Sequence, residues 1–284
     1  FFPHLYFRPF SDDQLSAVMK IQNALIEGGQ FAEAMPRGTG KTTIIEGAMI
    51  WSICYALRRY LVVIGSDKDA SEAIIDDVKE EFETNELLCD YFPEICKPII
   101  HLDGKSQRSA TQTHKGERTR IKWTTSRLRF PTIEGSDSSG CMIVGKGITS
   151  SIRGLKKGAD RPDFVLMDDP QTRESAESVE QTKKRISIVN GDIMGLAGHD
   201  KKISAIMPCT VILKAIYPTI SLTETRIPNG RDTESRWFTH GQTTKKRGSS
   251  TTRYGAKNKP KVGDFPKLTS FTDSIRRQWM PDAS

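Results

Sequence analysis

The sequence lacks an apolar run long enough to cross a membrane, and it lacks the start of a secretory signal. Its longest mostly apolar stretch, 48–57, is interrupted by Ser52, whereas a membrane-spanning helix needs about 20 apolar residues. The first residues carry no basic segment followed by an apolar core, which is how a secretory signal begins. We therefore expect a globular protein with no membrane span.

Cysteine is scarce and scattered. The five cysteines form no Cys-x-x-Cys pair, and no group of Cys and His has the spacing of a zinc site. An odd number of thiols in a chain of 284 residues is typical of a reducing, cytosol-like compartment. These patterns argue against a disulfide scaffold and against a metal site built from protein ligands.

The charge is distributed unevenly. The formal net charge is +7, and residues 201–284 hold 16 Lys and Arg against 6 Asp and Glu, which leaves 26 against 29 in residues 1–200. A basic C-terminal part on a nearly neutral body indicates a polyanionic partner, most simply nucleic acid. A solvated basic tail or linker is the alternative.

Short apolar segments alternate with segments of helical period, which is typical of an α/β domain with a mostly parallel sheet. Beyond about 215 periodicity is hard to find, so we expect one domain over 1–215 and a small basic subdomain over 216–284. The predicted strands are 31–35, 61–64, 164–167 and 203–207, and the predicted helices start near Lys41 and cover 71–82 and 175–189.

Between the second and third strands lies a polar insertion, roughly 100–150, in which alternating charged and apolar residues predict β-hairpins around 120–123 and 127–130. Residues 105–129 hold eight basic side chains and one acidic side chain, Glu117. Basic residues interleaved with an aromatic suit a phosphate backbone. The solvated face of a hairpin explains them equally well.

The stretch 34–43 joins a predicted strand to a predicted helix and ends in Gly-Lys-Thr. Such a turn aims backbone N–H groups and a helix N-terminus at the phosphates of a nucleotide. Met35 stands where G-x-x-x-x-G-K-[ST] has its first glycine, and a glycine-rich turn of another kind is the alternative. The candidate nucleotide-binding residues are Arg37, Gly38, Thr39, Gly40, Lys41, Thr42 and Thr43.

Within this loop, Lys41 would reach the outer phosphates and the Thr42 hydroxyl would coordinate Mg²⁺. The strand 164–167 delivers two further candidates, Asp168 and Asp169, at its carboxyl end, where open α/β sheets place their ligands. Asp168 is expected to hold Mg²⁺, and Asp169 to orient or deprotonate an attacking water. Capping of the next helix is the alternative for adjacent carboxylates.

A strand at 61–64 lies in sequence between the loop and the acid pair. This favours the additional-strand, catalytic-acid branch of P-loop ATPases, which includes helicases and DNA translocases. In that branch the strand after the acids ends at a residue that senses the γ-phosphate, for which Thr210 is the candidate here. An ordinary strand-to-loop transition is the alternative.

The combination resembles the large terminase subunit of tailed bacteriophages, the ATPase that drives genomic DNA into the procapsid. The resemblance covers about residues 7–213. Four stretches carry it. The first two are the loop 36–43 with its internal arginine, and Ser151-Ile152-Arg153-Gly154 ahead of Arg161-Pro162-Asp163. The other two are 205–212, which resembles the coupling motif, and Phe7-Arg8-Pro9-Phe10 with Gln14, which resembles the segment that contacts adenine.

The resemblance implies a P-loop NTPase of the additional-strand catalytic-acid type, with a mostly parallel central sheet flanked by helices and a C-terminal lid or linker over 216–284. It implies ATP and Mg²⁺ as cofactors, with Thr42 and Asp168 at the metal. Asp169 occupies the catalytic carboxylate position, where the family usually has the longer Glu.

The family also implies roles for two arginines and a glutamine. Arg37 would act as a switch within the subunit, and Arg153 as an arginine finger offered to a neighbour's ATP. A structural ion pair is the alternative for either arginine. Gln14 would contact adenine; the alternative is a polar residue beside the capping cluster 11–13.

The function implied is ATP hydrolysis that drives packaging of double-stranded viral DNA in the cytoplasm of a bacterial host. The implied partners are double-stranded DNA, further copies in a homo-oligomeric ring, a portal and a small terminase subunit. The acids after 215 are scattered, so we expect the family's C-terminal nuclease to be absent here. The alternatives are a helicase-like ATPase on single strands and a nucleotide-binding switch.

Overall fold

The computed structural model describes residues 2–158, 160–170, 172–193, 195–196, 203–209, 221–224 and 235–238. The helices are α1 (Asp12–Ile26), α2 (Lys41–Cys54), α3 (Lys68–Thr84), α4 (Glu86–Tyr91), α5 (Pro93–Ile100), α6 (Arg173–Glu177) and α7 (Val179–Ile188), with a 3-10 turn at Ser106–Ala110 and a π-helical turn at Val189–Ile193. The strands are β1 (Gln30–Ala34), β2 (Tyr60–Gly65), β3 (Thr113–His114), β4 (Glu117–Arg118), β5 (Lys122–Trp123), β6 (Arg127–Arg129), β7 (Met142–Gly147), β8 (Phe164–Met167), β9 (Ser204–Cys209), β10 (Ser221–Glu224) and β11 (Ser235–Phe238).

Seven strands form the central sheet in the order β1-β9-β8-β2-β7-β6-β5. The first five are parallel to one another, and β6 and β5 continue the sheet antiparallel. The predicted mixed α/β fold with a mostly parallel sheet is therefore confirmed. Because the five parallel strands point the same way, their carboxyl ends meet at one edge, where such sheets bind ligands.

Both faces of the sheet are buried, which is why its central strands are apolar at nearly every position. All six residues of β2 are buried. Leu61 and Val63 belong to the core shared with α2, α3 and α5, whereas Val62 and Ile64 belong to a second core shared with the π-helical turn. Because side chains alternate along a strand, a continuous apolar run of this kind indicates a strand covered on both sides.

The predicted helix over 175–189 is divided in two. Ser178 has an extended backbone, and its side chain accepts a hydrogen bond from the Gln181 backbone N–H, so it ends α6 and caps α7. Val179, which the single predicted helix would place on its apolar side, is 67% exposed. Ser178, which the amphipathic pattern placed on the polar face of a single helix, is instead the cap between two helices.

The polar insertion predicted for 100–150 also needs correction. The hairpin of β5 and β6 is present, but residues 142–147 form the buried strand β7, which pairs in parallel with β2. Gly145 and Gly147 interrupt its apolar pattern. A Cβ at Gly147 would lie 2.7 Å from the Lys68 backbone nitrogen, so these glycines allow α3 to pack closely on the sheet.

The predicted domain boundary near 215 lies outside the described residues. Of 216–284 the structure describes β10 and β11, which pair antiparallel. Within the parts of the chain that the structure describes, no helix is both long and apolar enough to span a membrane.

Candidate active site

The loop between β1 and α2 presents an open helix N-terminus. Gly38 and Gly40 have φ angles of 78° and 70°, a left-handed backbone that glycine adopts readily. Gly40 is the N-cap of α2, and no side chain caps this helix. The first N–H groups of a helix have no partner within the helix. This terminus is therefore suited to an anion.

Lys41 and Thr42, the first two residues of α2, face the acid pair that follows β8. The Nζ atom of Lys41 lies 3.9 Å from Oδ2 of Asp169, and Lys41 is only 8% exposed. The Thr42 hydroxyl donates a hydrogen bond to Oδ2 of Asp168 at 3.3 Å. The structure thus brings together the four residues on which the interpretation of the sequence depends.

The sheet order explains this convergence. β1 and β8 both run toward the same edge and are separated in space by one strand, β9. Neighbouring strands lie about 4.8 Å apart, so the loop after β1 and the acids after β8 start roughly 10 Å apart, a gap that opposing side chains span. The strand 61–64, which lies between them in sequence, is on the far side of β8.

The surroundings of Asp168 favour a cation. Burial raises the pKa of its carboxyl group and the charge of Asp169 raises it further, while the Thr42 hydrogen bond and the Lys41 charge lower it. Its Oδ1 atom is buried and has no hydrogen-bond partner among the described residues. A buried oxygen of this kind calls for a donor or a cation.

A carboxylate beside a hydroxyl is a set of hard oxygen ligands, which fits Mg²⁺. In the described ranges no group of three or more His, Cys, Asp or Glu could hold a metal ion. Magnesium usually binds through one or two carboxylates and keeps water and substrate phosphates as its other ligands. Thr42 and Asp168 match that mode.

Asp169 has a left-handed backbone, with a φ angle of 36°. Aspartate is among the few non-glycine residues that enter this region. Its backbone N–H donates to the carbonyl of Pro208 in β9 at 3.3 Å, and its side chain is 44% exposed. The acid turn is thus tied to the neighbouring strand while its carboxylate faces the solvent side of the cleft.

Gln14 links α1 to the loop. Its Oε1 atom accepts from the Ser11 backbone N–H at 2.8 Å within a capping box, which confirms the capping interpretation. Its Nε2 atom donates to the carbonyl of Thr39 at 2.7 Å. Gln14 therefore lies beside the loop, and its contact with adenine stays a prediction.

The two candidate arginines are exposed. Arg37 lies in the loop itself. Arg153 follows β7 at the carboxyl edge, is 79% exposed, and donates from Nε to Oδ1 of Asp192 at 2.5 Å. The alternative of an ion pair is thus present for Arg153. The candidate sensor Thr210 lies outside the described residues.

Two residues that sequence reasoning missed support the first turns of α2. The Tyr6 hydroxyl donates to the carbonyl of Thr43 at 2.8 Å, and a Cβ on Gly47 would overlap that hydroxyl. Glu46 is buried and hydrogen-bonded to Asp77, and burial, followed by the charge of Asp77, raises its pKa to about 8. The available signal for Glu46 was one acid inside an otherwise apolar helix.

Arg185 in α7 was also missed. Its guanidinium donates to the carbonyl of Pro170, the residue after the acid pair. Burial lowers the pKa of Arg185, and the charge of Asp67, at the end of β2, opposes that shift. Arg185 therefore joins the acid turn to α7.

No protein-family model matches the chain, and no curated protein matches it. Solved structures do match. The large terminase ATPase domain of Thermus phage P74-26 is 17% identical, with 76% of this chain and 75% of that chain covered and a TM-score of 0.39. A mutant of the same domain is 14% identical, with 76% of each chain covered and a TM-score of 0.35.

A third match is the Phi-28 gp11 DNA packaging motor, which is 14% identical, with 63% of this chain and 46% of that chain covered and a TM-score of 0.33. The chain resembles large terminase ATPase domains. The resemblance stated from the motifs thus agrees with the solved structures that match.

Proposed function

We propose that the chain is the ATPase domain of a large terminase, a Mg²⁺-dependent P-loop ATPase that drives double-stranded viral DNA into a procapsid. The observation that carries the proposal is the meeting of Lys41 and Thr42 with Asp168 and Asp169 at one sheet edge. Phosphoryl transfer needs a phosphate cradle and a metal-holding acid in one cleft. A glycine-rich turn that does not bind a nucleotide is not expected to face an acid pair.

The cradle binds the substrate's phosphates. The uncapped first turn of α2 offers backbone N–H groups, and the Lys41 amine adds a charge-assisted hydrogen bond to the outer phosphates. Lys41 is 8% exposed and lines a small cavity together with Met35, Ile44 and residues of α1. Its amine reaches from there toward Asp169. A phosphate that reaches this amine competes with Asp169 for it.

Thr42 and Asp168 are the residues that would hold Mg²⁺, since both offer oxygen atoms and one oxygen of Asp168 lacks a partner in the described structure. When bound, Mg²⁺ would supply positive charge that offsets the negative charge developing on the transferred phosphoryl group. The Thr42 hydroxyl already fixes the orientation of the Asp168 carboxylate. No rearrangement of α2 is required for the two residues to share a ligand.

Asp169 orients the attacking water and accepts its proton. Its half-exposed carboxylate suits that task because it faces both solvent and Lys41. The side chain is one methylene shorter than the Glu usual in large terminases. The carboxylate nevertheless lies 3.9 Å from the Lys41 amine at the start of α2, which supports its reach despite that shorter length.

The sheet order supports the additional-strand catalytic-acid type, because β9 separates the loop-bearing β1 from the acid-bearing β8. The Asp169 N–H bond to Pro208 joins the acid turn to the end of β9, the segment that resembles the coupling motif. A change at the γ-phosphate would thus be passed to β9 and to Thr210, the predicted sensor.

The assembly partners follow from the resemblance. We propose a homo-oligomeric ring on a portal, with a small terminase subunit and double-stranded DNA, in the cytoplasm of a bacterial host. Arg37 would act as the switch within one subunit. Arg153 lies exposed at the carboxyl edge, so it can be offered to the ATP of a neighbouring copy.

The test is ATP turnover as a function of protein concentration, with no DNA, with duplex DNA and with single-stranded DNA. We expect the rate per subunit to rise steeply with concentration, because a finger from a neighbour is worth about 10³-fold or more in rate. Duplex DNA should stimulate turnover more than single strands do. Stimulation by single strands alone would favour the helicase-like alternative.

Lys41→Ala tests the role of the Lys41 amine, with Lys97→Ala as the matched control. Without the amine, turnover and ATP binding should both fall, whereas Lys97→Ala, an exposed lysine on α5, should leave both unchanged. Both variants should melt at the same temperature as the unaltered chain, to within a few degrees. Unchanged turnover in a folded Lys41→Ala variant would refute the proposed site.

A further inference from the structure

A basic surface lies on one face of the β5–β6 hairpin, at the outer edge of the central sheet. Lys122 in β5 pairs directly with Arg129 in β6, and Arg127 lies two residues before Arg129. Residues paired across strands, and residues two apart along a strand, share a face of the sheet. Leu128 and Trp123 occupy the opposite face and are buried in the first core.

Two more cations, Arg120 and Lys157, lie close enough to Arg129 for the charges to interact. The pKa of Arg129 is lowered by burial and then by the positive charge of Arg120. The pKa of Lys157 is lowered by burial and then by Arg129, with Asp160 opposing and Arg127 adding to the effect. We call these five residues the edge cluster: Arg120, Lys122, Arg127, Arg129 and Lys157.

The acids around the hairpin are largely engaged elsewhere. Glu83 accepts from the Trp123 indole on the opposite face, and Glu72 pairs with Lys68 and accepts from Thr125. Asp160 forms a backbone bridge with Lys157, and among the described residues it is the acid whose charge acts on Lys157; no acid acts on Arg129 in the same way. Positive charge therefore dominates this part of the described surface.

The positive charge of Arg129 is energetically costly in the folded chain. Its Nε atom is buried and has no hydrogen-bond partner among the described residues. Like charges directly opposite each other on neighbouring strands destabilise a sheet, as Lys122 and Arg129 do here. An anion on this face offsets both costs.

We propose that the edge cluster binds the phosphate backbone of double-stranded DNA. The inference rests on the function proposed above, which supplies a duplex as the substrate to be moved. Residues two apart in a strand are about 6.6 Å apart and paired residues about 5 Å apart. Duplex DNA presents one charge per roughly 1.7 Å of its axis, so several phosphates fall within reach of the cluster.

The position of Trp123 selects duplex over single-stranded DNA. Single-stranded nucleic acid is bound by exposed aromatic side chains on which its bases stack, together with basic residues. The aromatic residue interleaved with these basic residues is 4% exposed and lies on the other face of the hairpin. The face therefore offers charge without a stacking platform, and a phosphate backbone is what such a surface recognises.

The test measures binding of a fluorescently labelled duplex to the full chain by anisotropy, without nucleotide, from about 50 to 200 mM salt. The variant is Lys122→Gln with Arg127→Gln, both exposed, which leaves the partly buried Arg129 in place. Each lost phosphate contact lowers the slope of log affinity against log salt by about 0.9. We expect a slope smaller by about 1.8 and an affinity at least about tenfold lower at 0.1 M salt.

The matched control is Lys79→Gln with Lys97→Gln, which removes the same charge from α3 and α5 on the other face of the sheet. It should keep the original slope. Equal slopes for the two double variants would overturn the proposal, as would a loss confined to single-stranded DNA. Because no nucleotide is present, the outcome is independent of whether Lys41 and Asp169 support ATP turnover.

Discussion

The amine of Lys41 lies 3.9 Å from the carboxylate of Asp169, so the residue assigned to the phosphates and the residue assigned to the water are in contact with each other. A phosphate at Lys41 draws the amine away from Asp169. If the two residues have the roles proposed above, ATP binding weakens this ion pair and leaves the Asp169 carboxylate able to engage a water.

Asp169→Asn tests that assignment. Asparagine tolerates the left-handed backbone as aspartate does, so the turn should be preserved while the base is lost. We expect turnover to fall by about 10²-fold or more, with ATP binding unchanged or tighter because a negative charge near the phosphates has been removed. Phosphate release and nucleotide titration measure the two quantities separately.

Two further variants serve as controls for Asp169→Asn. Asp69→Asn, in the first turn of α3, removes an exposed carboxylate that has no role in the proposed site and should leave turnover unchanged. Asp169→Glu restores the side chain usual in large terminases and should retain activity. Full activity in Asp169→Asn would mean that another group handles the water.

Arg153 is held by Asp192 within its own chain. If it serves the neighbour's ATP, Arg153→Ala should abolish the steep dependence of turnover on protein concentration, while Asp192→Asn, which frees the arginine, should keep or raise turnover. A purely structural pair predicts something different: both variants lose thermal stability to a similar degree and neither changes turnover at high concentration.

Arg185 positions the acid turn through the Pro170 carbonyl. Arg185→Gln should lower kcat several-fold while KM for ATP stays close to its original value, because the phosphate cradle on α2 is not touched. Arg185→Lys keeps a donor and should recover part of kcat. The neighbouring exposed Lys184→Gln is the control, and a change in KM alone would contradict the positioning role.

The sequence was sufficient for the parts of the fold that depend on local pattern. The strands at 61–64 and 164–167 are continuous apolar runs and were found to within a residue or two. Gly-Lys-Thr and the acid pair are short motifs whose chemistry requires them to meet, and they do.

Features that depend on packing were not predictable in the same way. β7 was hidden because Gly145 and Gly147, which make room for α3, break its apolar run. The order of strands in space placed β9 between β1 and β8, although β2 follows β1 in the chain. Arg185 and Glu46 carry no motif, and their contacts arise only once α7 and α3 are folded against their neighbours.

Glu46 makes the stability of the domain depend on pH. Its pKa is raised from 4.5 to about 8 by burial first, then by Asp77, with smaller contributions from Asp168 and Glu81. Between these values the folded chain holds a proton that the unfolded chain has lost. The free energy of unfolding should therefore fall as pH rises from about 5 to 8, by up to about 1.4 kcal/mol per pH unit from this group.

Glu46→Gln keeps a neutral side chain that can still hydrogen-bond to Asp77, so it should remove this slope. The difference in unfolding free energy between the variant and the unaltered chain should therefore shift in favour of the variant as pH rises from 5.5 to 8. Urea unfolding at both pH values measures the effect. Glu80→Gln, an exposed acid on α3, is the control and should retain the pH dependence. The same slope in Glu46→Gln as in the unaltered chain would show that Glu46 is ionised in the folded protein and that the Glu46–Asp77 pair does not hold the proton.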